Sequence, residues 1–266
     1  MCSTRHDQTT NSSRTIDVQM ISGWIEQAGK IALQYFLKTA IQKKRDGSVV
    51  TEADKAIEAF LAERIHNQYP HHEIIGEEGT RIPGDEYVWI IDPLDGSMSF
   101  SLGLPTWCIS VGVLLRNQPF FGIVYLPVTG EVYTAERKKH VTWNQRRIHV
   151  PDCLSIKDDS VFCVSPRAYR IHTFDFPGHI LSFGSGVFHS CLVARGVAVG
   201  AFSLSPRIWD LAAVCPILQN AGAKIFGING TPMNWDKIYK LDQNNQPLFV
   251  CNPKIANYIQ DMISLK

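Results

Sequence analysis

Ile21, Trp24, Ile25, Ala28, Ile31, Ala32 and Tyr35 recur every three or four residues, the spacing of a helix that buries one face. A second helix is expected to start near Thr51, whose side chain can cap it. Its apolar face would carry Ile57, Phe60, Leu61 and Ile65. Short strand-like runs follow at 73–75 and 87–91. From 107 onward the pattern is one of strands, at 107–115, 120–126 and 131–135. Turn residues at 116–119 and 128–130 separate them, as in an antiparallel meander.

Beyond residue 161 strand-like and helix-like segments alternate. Strands are expected at 161–164 and 197–202, and helices at 187–194, 209–220 and 255–263. Pro216 lies inside the second of these helical segments, 209–220, and should kink it or end its first regular stretch. The pattern reads as a flexible tail at 1–14 and two tightly associated halves, 15–150 and 151–266, forming one compact unit.

Composition narrows the classes of function. The 266 residues are 45% hydrophobic and 19% charged, with a net charge of +1. A near-neutral chain has no general field to gather nucleic acid or anionic membrane, so neither is expected as a partner. No apolar run reaches the roughly 18 residues of a membrane span, and the polar start is unlike a secretory signal. The seven cysteines are scattered without a Cys-x-x-Cys pair, which fits a reducing cytoplasm. Cys108, Cys191 and Cys215 sit among apolar neighbours and read as small core residues. His71-His72 read as a surface loop, and His189 as a satisfied or partly buried helix residue.

The chemistry gathers at acidic residues. Asp92-Pro93-Leu94-Asp95-Gly96-Ser97 directly follows the apolar run Val88-Trp89-Ile90-Ile91, so its carboxylates should emerge where a strand ends. Two carboxylates flanking the Leu94 carbonyl make an oxygen set suited to magnesium. Gly96 permits close backbone approach, and Ser97 opens a short helix whose amides suit phosphate. Taken singly, each dipeptide is equally a capped turn. Glu77-Glu78 reads alone as an exposed acidic turn, Asp54 as part of a helix cap, and Asp210 as a carboxylate at the positive end of its helix.

Gly76-Glu77-Glu78, the hexapeptide 92–97, Trp209-Asp210-Leu211-Ala212-Ala213 and the stretch from Lys43 to Asp54 together resemble the signature motifs of the inositol monophosphatase family. The resemblance implies a layered αβαβα sandwich of the α/β (α+β) class shared with fructose-1,6-bisphosphatases. It also implies magnesium-dependent, lithium-sensitive hydrolysis of a phosphate monoester. Glu77, Asp92, Asp95, Asp210 and the Leu94 carbonyl match the ligands of two or three magnesium ions. Glu77 with one ion would position and deprotonate the attacking water, helped by the pair Ser97 and Asp54. Gly96 and Ser97 amides would hold the phosphate. Gly184, Ser185, Ser203 and Asp210 match the substrate side.

Two departures from the family pattern matter, the second of them on the substrate side. Ser97 stands where the family usually has threonine, which keeps the hydroxyl and loses the methyl that restrains its rotamer. Ser203 aligns with a glutamate that touches the inositol ring in animal members, and Pro216 is reminiscent of the histidinol-phosphatase branch. Inositol monophosphate is the expected substrate among small phosphorylated metabolites. The 3′(2′),5′-bisphosphate nucleotide, fructose 1,6-bisphosphate and histidinol phosphate branches stay open, as does a metal-binding regulatory protein without turnover. Members of the family are commonly homodimers, and Arg167 and Arg207 are candidates for a second anionic group.

Overall fold

Asp17 starts the first helix by accepting the amides of Gln19 and Met20, at 3.0 and 3.1 Å, on its side-chain oxygen. That helix, α1, is Val18–Tyr35, and α2 is Glu52–Gln68. The computed structural model describes residues 16–38, 42–43, 49–50, 52–152, 155–236 and 246–266. The tail 1–14 and the capping role of Thr51 lie outside them. A two-strand ladder pairs β1, Gln42–Lys43, with β2, Val49–Val50.

The first large sheet is built from β3 (Glu73–Gly76), β4 (Arg81–Ile82), β5 (Tyr87–Asp95), β6 (Cys108–Leu115), β7 (Gln118–Leu126), β8 (Glu131–Glu136), β9 (Val141–Trp143) and β10 (Arg146–Arg147). Its order is β10-β9-β8-β7-β6-β5-β3-β4, and only β3 and β5 run parallel among these neighbours. The expected meander is therefore present, with a parallel crossover through β3. Helix α3, Ser97–Ser101, follows β5.

The second half contributes β11 (Val161–Val164), β12 (His172–Phe174), β13 (His179–Leu181), α4 (Gly186–Ala194), β14 (Gly200–Ser203), α5 (Ile208–Ala212), α6 (Val214–Ala221), β15 (Lys224–Gly227), β16 (Leu248–Cys251), α7 (Ala256–Asp261) and β17 (Ile263–Leu265). Its sheet has the order β13-β11-β14-β16-β15, and β12 pairs with β17 separately.

Three apolar clusters fill the four interfaces between five layers, the largest packing on both faces of the central helices. Trp89, Ile91, Val111 and Ile123 face α1 and α2 through Ile25 and Ile57. Val88, Ile90, Val124 and Tyr133 face the opposite way, onto Val187, Leu211 and Ile217 of the central helices. Phe162, Phe202 and Phe249 cover the outer face of the second sheet with Ile259. The result is a layered αβαβα sandwich. Alternate residues of β5 feed different cores, as strand geometry requires.

Several expected boundaries move. The helical stretch 209–220 divides at Ala213, and Pro216 falls in the first turn of α6, where its missing N–H has no helical partner to lose. The strand expected from 197 begins at Gly200. The terminal helix ends at Asp261, because Ile263–Leu265 pairs with β12 instead. His72 is buried rather than on a surface loop: it stacks between Tyr69 and Tyr87, and Trp89 Nε1 donates to its Nδ1 at 2.9 Å. The rings around it remove the water a surface histidine needs, and burial lowers its pKa.

Candidate active site

The hexapeptide is not a loop after a strand. Strand β5 runs on through Asp95, and its register against β6 shifts within the motif: Asp92 lies opposite Ser110, and Asp95 opposite Cys108. Three steps on β5 match two on β6, so one residue is inserted as a bulge. On a regular strand, residues three apart point to opposite faces. The bulge instead puts Asp92 and Asp95 on one face, with Val88 and Ile90, toward the central helices. Leu94 packs on the other side with the α1–α2 core.

Asp210 arrives from that central layer. Its Oδ2 accepts the Arg207 amide at 2.7 Å, so it caps α5 as expected of an acid at a helix start. Close packing brings α5 to the sheet. A Cβ on Gly112 or on Gly122 would collide with the Ala212–Ala213 backbone. Two bare glycines facing two alanines let the helix sit low enough for its carboxylate to meet the strand's. One carboxylate oxygen from each of Asp92, Asp95 and Asp210 then lies within 4.8 Å of the others.

The electrostatics of the three acids follow from this crowding. Burial, then the charges of Glu77, Asp95 and Asp210, hold Asp92 well above the usual carboxylate range. Asp210 is raised by burial and then by Asp95, with the Arg207 amide pulling the other way. Asp95 is raised less, because Ser185, the amides of Gly186 and Val187 and that of Gly96 oppose its burial. Such a cluster holds protons or a hard cation. The donor set, all oxygen and all anionic, fits magnesium.

The supports of these residues are specific. Asp95 Oδ2 accepts the Ser185 hydroxyl and, at 2.8 Å, the Val187 amide, which bridges the first sheet to the start of α4. Ser185 was expected at the substrate. Its side chain is instead fully enclosed, with its hydroxyl held between Asp95 and the Phe188 amide at 3.0 Å. Gly184 does line the cleft, at φ +85°, and a Cβ there would strike Ser99 Oγ. Ser99 and Thr106 both donate to the Phe183 carbonyl, at 2.9 and 2.7 Å, and the Phe183 amide donates to His189 Nε2 at 2.9 Å. His189 is accordingly neutral, its pKa lowered to about 4 by burial.

Ser97 Oγ donates to the Leu94 carbonyl at 3.1 Å. Asp54 is buried in the first turn of α2, and Glu77 lies at the end of β3 with its amide donating to the Ile91 carbonyl at 3.1 Å. Gly96 adopts the left-handed conformation, φ +91°, and leads into α3. Beside the acids is a cleft of about 370 Å³, lined by Asp95, Asp210, Gly184, Ser165, Ser190 and Ser203 among others. Ser190 was not foreseen. It sits one helical turn beyond Gly186 on the same face, a spacing legible once α4 is placed.

A family model described as the inositol monophosphatase family matches residues 15–260. The chain belongs to the inositol monophosphatase family. It is accordingly a phosphoric monoester hydrolase. An inositol monophosphatase of Mesembryanthemum crystallinum is 31% identical over 231 residues, spanning 77% of this chain and 83% of that protein. A histidinol-phosphatase of Chlorobaculum parvum is 32% identical over 228 residues, spanning 81% and 87%. Among solved structures, the suhB protein of Bartonella henselae superposes with a TM-score of 0.81 at 21% identity, covering 92% of this chain and 96% of that one. An IMPase/NADP phosphatase solved with Mg2+ and phosphate has a TM-score of 0.79 at 20% identity, covering 92% and 93%.

Proposed function

We propose that this phosphatase hydrolyses the phosphate monoester of a small polyhydroxylated metabolite, inositol monophosphate first, with two to three magnesium ions. The observation that carries the reading is the meeting of Asp92, Asp95 and Asp210 oxygens within 4.8 Å beside a cleft lined by hydroxyls. Magnesium, when bound, supplies charge for the phosphoryl oxygens and acidity for the attacking water.

The chain's own groups do the rest. Asp92, Asp95, Asp210, Glu77 and the Leu94 carbonyl hold the cations. The Leu94 carbonyl has two lone pairs, so it can accept from Ser97 and still face an ion. Glu77 takes the proton of the attacking water, with Ser97 and Asp54 orienting that water. The Gly96 and Ser97 amides hold the phosphate. Gly184, Ser203 and Asp210 contact the alcohol portion, and Ser185 acts behind them through Asp95.

Phosphate release from a panel tests this: inositol monophosphate, histidinol phosphate, fructose 1,6-bisphosphate and 3′-phosphoadenosine 5′-phosphate, each with and without magnesium. Inositol monophosphate should give the highest kcat/KM. Turnover of none of them by folded, magnesium-loaded protein would leave a regulatory metal-binding role. Calorimetric stoichiometry checks the ion count.

We likewise propose a cytoplasmic homodimer, to be checked by fractionation and by light scattering. Among the described residues no helix is long and apolar enough to cross a membrane. The halves 15–150 and 151–266 are proposed to fold as one unit. Support comes from Glu131 of β8, which accepts from Arg195 at 2.8 Å while Arg195 also lies 4.4 Å from the Trp143 ring centroid. A single unfolding transition is the expected result.

A further inference from the structure

Glu58 lies on α2, four residues after Asp54 and therefore on the same helix face. It is only 2% exposed, unusual for a glutamate. Its two oxygens accept from two amides of one loop: Oε2 from Glu78 at 2.7 Å, and Oε1 from Thr80 at 2.9 Å. Charge-assisted bonds of this kind are roughly twice as strong as neutral ones. The loop closes around the carboxylate, since the Gly76 amide donates to the Thr80 carbonyl at 2.9 Å. Gly76 forms the floor beneath it, where a Cβ would collide with the Glu58 carboxylate itself. From outside, the Arg81 guanidinium donates to the Gly76 and Thr80 carbonyls.

Glu77 is thus held on both sides. Its own amide is tied to Ile91, the residue before Asp92, and the next amide is tied to Glu58. A turn of this size on the surface would ordinarily leave those amides to water. Burying a carboxylate to fix them has a desolvation cost, which suits a loop whose exact backbone path is used. We propose that Glu58 is a positioning residue that aims the Glu77 carboxylate at the Asp92–Asp95–Asp210 cluster. The proposal rests on the reading of Glu77 as a cation ligand.

The test compares the full-length protein with Glu58→Gln, which keeps the volume and turns one acceptor into an N–H group facing an N–H. Calorimetry with magnesium alone should show binding weakened about tenfold, the scale of one strong hydrogen bond. The magnesium concentration for half-maximal phosphate release should rise in step, with substrate KM within about twofold. Gly76→Ala, which pushes on the same carboxylate from below, should act alike. Hydrogen exchange on the unaltered protein should find the Glu78 and Thr80 amides protected, a measurement that stands even if both variants fail to fold. A lower melting temperature with unchanged magnesium affinity would overturn the proposal, as would rapid exchange at those two amides. If the unaltered protein binds magnesium but releases no phosphate from any panel member, the proposed reaction falls, and calorimetry alone still decides the part played by Glu58.

Discussion

Gly112 lies directly opposite Gly122 on neighbouring strands, and this pair of missing side chains forms the seat of the Ala212–Ala213 helix junction. The seat sets the height of α5, and hence how near Asp210 comes to Asp92 and Asp95. Gly122→Ala should destabilise the fold by about 1–3 kcal/mol through overpacking against a backbone carbonyl. Urea unfolding measures it. Magnesium affinity should fall alongside, because α5 must lift to admit the methyl.

Removing one acid should change stability with opposite signs depending on the cation. Asp92 is crowded by burial and by three other carboxylates, so Asp92→Asn relieves repulsion in chelator-treated protein and should raise its melting temperature. With magnesium present the variant should melt below the unaltered protein and lose at least about a hundredfold in kcat, having lost a ligand. Thermal scans in EDTA and in magnesium compare the two.

The pH dependence follows from the same acids. Asp92 and Asp210 have folded-state values raised above their unfolded ones, so the folded protein holds more protons across that interval. Without metal, their contribution to stability is present below the unfolded value, about 4, and is lost as pH rises through the raised values. The melting temperature of unaltered protein relative to Asp92→Asn, in EDTA, should therefore fall from pH 5 to pH 8. Magnesium should flatten this slope, and its own binding should release protons and tighten as pH rises.

His189 predicts the reverse slope at the acid end. Its value is lowered to about 4 in the fold, so the unfolded chain takes up the proton first as pH drops below about 6.5. Stability should decline between those two values. His189→Gln keeps an acceptor for the Phe183 amide and should lose that part of the decline, seen by unfolding at pH 7 and pH 5.

Ser97 separates hydroxyl from methyl. Ser97→Ala should lower kcat by about a hundredfold or more, the scale of one proton-handling group, with little change in melting temperature. Ser97→Thr should keep activity, because the hydroxyl stays and its rotamer is narrowed. Steady-state kinetics on the best panel substrate reads both.

Local pattern was enough for much of this protein. The periods of α1, α2 and the β6–β8 meander arise from which side chains must leave water, and they are written in spacing along the chain. The motif residues also name themselves, since aspartates beside a proline, a glycine and a hydroxyl form a short, contiguous set. What could not be read is how those residues meet. That Asp92 and Asp95 share a face depends on one residue of slippage against β6, and an unpaired strand carries no record of its partner's register. Likewise β17 reads as the end of a helix until β12 offers it a ladder, and Ser185 reads as a substrate contact until Asp95 encloses its hydroxyl. Spacing specifies which groups seek burial and which carry charge; pairing across distant segments specifies the direction in which each carboxylate points.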